Sequence, residues 1–555
     1  MYDLCVIGAG PAGIILALEF VKVNPDQTVV IIEFGRPGNE GPNKLDDSIK
    51  VDNLMNHHEP YDTTVKGLGG TSATWGGRCV NYDRIDFLQR EIIGDNCTWS
   101  EDIIEEYKPF LPAAATYFEC GDPLFSTQEI EGFKDGHIAE NFQNGPVTDH
   151  VVERWSMPTR FGARYGDELL AHDRIEVMQG FECRDFSPVD AVGNIRNLLI
   201  RDTNSGEEQT ISAKCFVLSA GAQETTRILL RNAPGVFGNL PGTPSALGKY
   251  YQSHLSGKIA SVKFYGDPRK TEFELLRNED GTFIRRRFQF SDEFLLKNNL
   301  LNTAIWLDNP HYHDPSHQSG ALSFMYLAMI TPILGKRLAP PSIAHSITKG
   351  VVRDVWPHVF NVLRDLPGSL IKPAKLFYKR YLLKRKLPGI FLYQQKNIYA
   401  LHFHSEQIPS EVNRMELGED GEQLEISYTL LDDDVSSIIQ LHEELDKWLR
   451  QCNCGELIYW YAPEERAAVI RKNSIDGIHQ VGTTRIAESH ERGVVDKNLK
   501  VFGTENLFVC SSSVFPTSGQ ANPTFLLGTF AARLAHHLKE KLEHKQLNSF
   551  TPVVN

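Results

Sequence analysis

What this 555-residue chain lacks narrows its identity first. It has no run of 18 or more apolar residues, and its most apolar stretch, Ala321 to Leu334, is too short to span a bilayer, so no transmembrane helix is expected. It has no basic leader: Met1 is followed at once by Tyr2-Asp3-Leu4-Cys5-Val6-Ile7-Gly8, which reads as a strand and not as a signal peptide. Its nine cysteines are odd in number and scattered. Cys452 and Cys454 form the one close pair, and a C-x-C pair alone is weak evidence for a metal. No metal is expected, and a reduced, cytoplasmic compartment is the simplest reading. The chain is also short of positive charge, with 57 Lys and Arg against 71 Asp and Glu, a net −14 that argues against nucleic acid as a partner.

What is present fits a folded, globular chain. Hydrophobic residues make up 41% and charged residues 23%, which excludes a mostly disordered chain. The length allows roughly two to four domains, or one large enzyme fold with a second lobe. At the N-terminus an apolar run, Leu4 to Ile7, leads into Gly8-Ala9-Gly10-Pro11-Ala12-Gly13. Apolar residues then follow at helical density, and a second apolar run, Val29 to Ile32, ends at Glu33. This is the strand, glycine turn, helix, strand and acid of a dinucleotide site. Gly8 permits the tight turn, Gly10 lets a pyrophosphate approach a helix N-terminus, and Gly13 permits close packing of helix on strand. Glu33 accepts from a ribose hydroxyl. Pro11 suits the first helical turn. The pattern does not separate FAD from NAD, and the acid at position 33 argues against NADP.

A second glycine-rich loop runs from Lys66 to Arg78 and contains Gly70, Thr71, Ser72, Thr74, Trp75 and Gly76. Such a loop can lie flat against a planar ligand and present backbone N–H groups. Towards the other end come Gly477-Ile478-His479-Gln480-Val481-Gly482-Thr483-Thr484-Arg485, then Cys510-Ser511-Ser512-Ser513 and Asn522-Pro523-Thr524, with a helix expected from about Phe525 to Glu540. In the middle lies Phe216 to Thr225, with Ala220 and Gly221 at its centre.

Taken together, these motifs resemble the glucose–methanol–choline (GMC) family of FAD-dependent oxidoreductases, in order along most of the chain except roughly residues 310–395. The resemblance implies an α/β fold: a Rossmann-like FAD-binding domain from discontinuous segments (1–110, 175–250 and 470–545) and a substrate domain (111–174 and 251–469). The latter would have a large antiparallel sheet, with His402 to Pro409 and Asn413 to Leu417 as strands of it, helices, and a basic helical insertion near 310–395. It implies that His479 is the catalytic base and Asn522 its partner. The base would take the hydroxyl proton of an alcohol while the C–H hydride moves to flavin N5, and Asn522 would hold the alcohol oxygen. It also implies FAD contacts from Ala220, Ser512, Pro523 and Thr524, and places Cys183 at the adenine through its backbone. The loop from Thr71 to Trp75 is similar to that of sugar-oxidising, pyranose oxidase-like members, so a sugar or glycoside hydroxyl is the favoured substrate. In that branch a histidine of this loop links covalently to FAD. Thr74 stands at the matching position, so non-covalent FAD is expected. Ser511 stands where many members carry an Asp. Some members keep FAD but act as lyases, and that reading stands as the alternative, beside oxidation of a lipid-like alcohol at a membrane. The electron acceptor, oxygen or another, is set by access to the flavin and not by a motif.

One segment has no counterpart in the resemblance. Residues 336–386 carry twelve Lys or Arg and two acids, a net +10, so the rest of the chain carries −24. Val351, Val352, Val355, Trp356, Val359, Phe360, Val362 and Leu363 are spaced as in an amphipathic helix, Leu366-Pro367-Gly368 breaks it, and the pattern resumes from Ile371 to Leu387. Two readings stand: a basic amphipathic patch that sits on an anionic membrane or partner, or a helical cover on the substrate domain with solvated basic faces.

Overall fold

The structure, a computed structural model, describes residues 1–37, 48–331, 354–383, 385–389, 391–392 and 396–549. The first strand, Tyr2–Ile7, is buried from Leu4 onward. Four successive apolar residues suit a parallel strand covered on both faces. Helix Pro11–Val23 carries the chain back, and strand Val29–Glu33 pairs parallel with the first, Leu4 opposite Val29 and Ile7 opposite Ile32. Ile175–Gln179 extends the sheet beyond Val29–Glu33. On the other side Glu208–Leu218 pairs parallel with Tyr2–Ile7, and Leu507–Val509 pairs parallel with Phe216–Leu218. The first half of Glu208–Leu218 turns antiparallel against Asn197–Asp202, which in turn pairs with Phe181–Phe186. Three well-separated stretches of chain therefore build one seven-stranded sheet.

Helix Thr524–Ser549 lies on helix Pro11–Val23. Gly528 permits close packing at this end of the helix: a Cβ there would sit 2.3 Å from the Phe118 ring and 3.1 Å from Ile15. Leu526, Phe530, Leu534 and Leu538 are buried in the same core.

A second core surrounds a four-stranded antiparallel sheet in the order Thr303–Asp308, Ile398–Ser405, Leu255–Phe264, Gly455–Tyr459. Helix Asp432–Gln451 packs here through Val435, Ile438, Leu441, Leu445 and Leu449, spaced at three and four residues. The fold class expected from the sequence holds. One strand assignment does not: Arg414–Leu417 pairs with Leu424–Ser427, which pairs with Ile49–Val51, in a separate three-stranded sheet. The four-stranded sheet is also smaller than the large one expected. Arg90, ahead of the short turn Glu91–Ile93, ties this part of the chain to the end of Ile398–Ser405, donating to both carboxylate oxygens of Glu406 at 2.6 and 2.7 Å, fully buried.

All nine cysteines are free, and eight are buried. Cys454 points its thiol at the Leu449 carbonyl. In the basic segment, residues 336–353, with Val351 and Val352, lie outside the described residues. The remainder forms helices Val355–Arg364 and Leu366–Phe377, separated at Asp365, whose carboxylate accepts from the Gly368 N–H. Helix Gly320–Ile330 packs against both. No helix among the described residues is long and apolar enough to cross a membrane.

Candidate active site

The glycine turn leaves the first strand at Gly8, whose φ is +105°; a Cβ there would strike the Ser219 carbonyl at 2.6 Å and Ala220 Cα at 2.7 Å. Gly13 approaches the turn just as closely, with a Cβ position 2.1 Å from the Gly8 carbonyl oxygen. Gly10 behaves differently. A Cβ on it would meet nothing within 4 Å, and it caps helix Pro11–Val23 with no side-chain hydrogen bond. The first N–H groups of that helix, with the positive end of its dipole, therefore have no side-chain cap. Ala220 caps helix Gly221–Arg231 in the same unprotected way, and Gly221 too faces open space.

Glu33 gathers the two glycine loops. One carboxylate oxygen accepts from Ala9 N–H at 2.9 Å, and the other from the Gly35 and Gly67 N–H groups at 2.8 Å each. Gly69 N–H donates to the Ala9 carbonyl at 2.8 Å, and a Cβ on Gly70 would be 3.0 Å from Gly10 Cα. The second loop continues as a single 3-10 turn, Gly70–Ala73. Ser72 is buried and committed: its hydroxyl donates to Gly69 O and accepts from Phe161 N–H. Thr71 is half-buried, while Thr74 and Gly76 are exposed. Trp75 is half-buried and its indole N–H donates to Thr159 O at 2.9 Å. Cys183 sits in strand Phe181–Phe186, with its carbonyl taken by Arg231.

The C-terminal segment reaches the same place. Thr226, on the helix that starts at Gly221, shares a 2.7 Å hydroxyl bond with Thr483. Ser512 donates to Gln480 O at 2.6 Å. The loop from Asp476 to Gly482 is bounded by two glycines at φ +99°: a Cβ on Gly477 would collide with the His57 ring, and one on Gly482 with the Tyr250 carbonyl at 1.9 Å. Held this flat, the loop presents His479 towards the start of helix Thr524–Ser549, where Pro523 follows Asn522.

There the structure builds a line of three side chains. Asp476 Oδ2 lies 3.0 Å from His479 Nδ1, and Asn522 Nδ2 lies 2.6 Å from His479 Nε2. The carboxylate is itself fixed, since it accepts from the backbone N–H of Ile478 at 2.9 Å and of His254 at 3.2 Å. Burial would raise its proton affinity, but the facing His479 and His254 hold the carboxyl well below its ordinary range, so it is an anion. An anionic carboxylate can only accept, which puts the proton of the neutral imidazole on Nδ1 and leaves a lone pair on Nε2. Asn522 Oδ1 is buried and has no partner.

Two further histidines pack around the line. His254 lies 4.1 Å from His404 between ring centroids and 5.0 Å from His479. Burial pushes both His254 and His404 towards the neutral form, and His404 well below its ordinary value. His404 Nδ1 engages Gln520 O at 2.7 Å. Among the described residues, His254, His404, Asp476 and His479 are the group whose ligand-capable atoms come close enough to hold a metal, all within 4.8 Å of one another. Sequence reasoning singled out His479 and Asn522 but missed Asp476, His254 and His404. The spacing of Asp476 three residues before His479 was a usable signal; His254 and His404 reach the site only through the antiparallel sheet.

Comparison with known proteins bears on the family and the fold. A family model described as GMC oxidoreductase matches residues 409–531, a stretch that contains both His479 and Asn522. The fold is similar to that of pyridoxine 4-oxidase from Mesorbium loti, at 14% identity and TM-score 0.52, over 97% of this chain and 99% of that one. It is also similar to an FAD-dependent oxidoreductase from Chaetomium thermophilum, at 14% identity and TM-score 0.53, over 98% and 100% of the two chains. A fungal aryl-alcohol oxidase aligns at 14% identity and TM-score 0.51, over 98% and 99%. The family match supports an oxidoreductase, and these neighbours share the fold over nearly the whole chain.

Proposed function

We propose that this chain oxidises an alcohol to a carbonyl with bound FAD, using His479 as the base that removes the hydroxyl proton. The observation that carries this reading is the Asp476–His479–Asn522 line, with the lone pair of Nε2 directed at a side chain that can also hold an alcohol oxygen. The residues present fit the cofactor: the two helix N-termini at Gly10 and Ala220 carry no side-chain cap, and a Cβ on Gly10 or Gly221 would meet nothing within 4 Å, which leaves room for a pyrophosphate. Gly8, Gly10, Pro11, Ala12, Gly13, Glu33 and Ala220 would hold the dinucleotide. Gly70, Thr71, Ser72, Thr74, Trp75, Gly76, Ser512, Pro523 and Thr524 would border the flavin, and the Cys183 strand the adenine. Thr74 cannot form the histidyl bond, so the flavin is held without a covalent link. Bound FAD supplies the hydride acceptor.

The chain's own residues do the rest. An alcohol oxygen placed between Asn522 and His479 accepts from Nδ2 and donates to Nε2, replacing their mutual contact with two hydrogen bonds. Asp476 fixes the tautomer and faces the positive charge that forms as Nε2 takes the proton. His254 and His404, kept neutral by burial, do not add a like charge beside it. A sugar or glycoside hydroxyl is the favoured substrate, supported by the loop from Thr71 to Trp75. We assign 1–110, 175–250 and 470–545 to the FAD-binding domain, a division supported by the strands those segments give to the seven-stranded sheet.

The test is anaerobic titration of the purified flavoprotein with sugars, aminosugars and aliphatic alcohols. At least one should bleach the flavin, and His479→Ala should slow that step by about 100-fold or more with the flavin retained. Bleaching at the wild-type rate in the variant refutes the assignment of the base. No bleaching by any alcohol favours a lyase.

A further inference from the structure

We infer that the helical pair Val355–Arg364 and Leu366–Phe377 docks this protein on an anionic membrane surface. The first helix is inverted. Its polar residues His358 and Asn361 are buried, whereas Trp356 is 81% exposed and Phe360 and Leu363 are each 65% exposed. The buried side chains are not stranded. His358 Nδ1 lies 3.0 Å from Ser323 Oγ, and Asn361 donates to Pro315 O at 2.9 Å and to Ser323 at 3.2 Å. Gly320 sits where a Cβ would be 2.2 Å from Ser369 Oγ, so helix Gly320–Ile330 packs tightly on this polar inner face. The arrangement is specific, and it leaves the apolar face outward by construction. Nine of the twenty large apolar side chains exposed among the described residues fall between Val355 and Leu382.

Clustered exposure of this kind marks an interaction surface and not a solvated one. Its chemistry selects the occupant. Trp356 and Tyr378 belong to the residue types that favour the membrane–water interface. On the second helix Leu370 and Ile371 are exposed, and Lys372 and Lys375, followed by Lys379 in the turn Tyr378–Leu382, are spaced at three and four residues beside them. The acids within the helical pair's span, Asp354 and Asp365, sit at the two helix N-termini, and Asp365 is used as a cap. An apolar face bordered by lysines is complementary to acyl chains beneath anionic headgroups. This docking is independent of the catalytic assignment.

The experiment is co-sedimentation of the holoenzyme with vesicles of phosphatidylcholine alone or mixed with phosphatidylglycerol, at low and at physiological salt. The expected result is binding to the mixed vesicles that exceeds binding to phosphatidylcholine by roughly 10-fold and weakens with salt. The triple variant Trp356→Ser, Phe360→Ser, Leu363→Ser changes exposed side chains only. It should lose at least about 10-fold in partitioning, with flavin absorbance unchanged. Lys375→Glu with Lys379→Glu should remove the preference for phosphatidylglycerol. No binding to the mixed vesicles at low salt, or binding by the triple variant equal to wild type, overturns the inference. A dimer in light scattering that the triple variant dissolves, without vesicle binding, overturns it in favour of a second copy of the chain.

Discussion

Asp476→Asn separates the charge of the line of three from its shape. In the wild-type site Oδ2 serves His479 Nδ1 and the His254 N–H, and Oδ1 serves the Ile478 N–H. A carboxamide has one accepting end. Turned with its NH2 towards Ile478, it keeps the bond to His479 and leaves one backbone donor without a partner, a cost of about 1–3 kcal/mol. Turned the other way, it donates to Nδ1, moves the ring proton to Nε2 and abolishes the base. The first arrangement conflicts with one donor and the second with two, so the first dominates and the tautomer survives. What is lost is the negative charge that faces the ring as it accepts the substrate proton. An adjacent opposite charge is worth roughly 1.4–4 kcal/mol to the protonated form. Flavin reduction should therefore slow by about 10- to 1000-fold. The assay is anaerobic stopped-flow bleaching with the best alcohol from the panel, followed by a series of alcohols of graded acidity. More acidic alcohols ask less of the base, so their deficit should be smaller. Reduction within about twofold of wild type, or loss of flavin together with activity, would refute a role for Asp476 in proton transfer.

Gly10→Ala and Gly13→Ala should part company. The first places its Cβ in open space, so the protein folds and melts as wild type but binds FAD poorly; the second drives a Cβ to 2.1 Å from Gly8 O, so the fold itself is destabilised. Thermal melts beside flavin absorbance check both, and equal melting of the two variants counts against this reading of the glycine turn. Asp434 offers a pH test, because burial pushes its carboxyl up to about 7 while the Ile408 and Leu431 N–H groups pull the other way. The folded carboxyl keeps a proton that the unfolded chain releases near its ordinary value. Its contribution is thus full in acid, is lost as pH rises through about 7, and is of order 4 kcal/mol. Asp434→Asn should gain stability relative to wild type between about pH 4 and about pH 7, and a constant difference in melting temperature across that range would contradict this.

The dinucleotide end of the site was legible because its demands are local. A turn without room for Cβ must be glycine, and Gly13 lies within a few residues of the Gly8 carbonyl it touches, whereas the crowding of Gly8 by Ser219 and Ala220 is set by the tertiary fold. The His479 and Asn522 motifs were legible as short signatures, although 43 residues separate them and the sequence alone places no distance between them. Glu33 was read as a ribose ligand, yet its role as the tie between two glycine loops depends on Gly67, which only the tertiary fold brings to it. His254 and His404 escaped for the same reason: each looks like any strand histidine until Leu255–Phe264 and Ile398–Ser405 are paired. The assignment of Asn413 to Leu417 to the substrate sheet failed because a resemblance in sequence identifies a strand, not its partner.

The pairing of Leu507–Val509 with Phe216–Leu218, and the seat of helix Thr524–Ser549 on helix Pro11–Val23, set the order of biogenesis. A ribosome adding about 5–20 residues per second needs roughly 25–100 s to pass from the first strand to the last. Throughout that time strand Glu208–Leu218, once made, lacks its C-terminal neighbour, and the side of helix Pro11–Val23 that is buried in the finished protein waits for a cover that does not yet exist. The domain emerges first and closes last. A chain cut short before residue 507 leaves the face of helix Pro11–Val23 that helix Thr524–Ser549 covers without its cover.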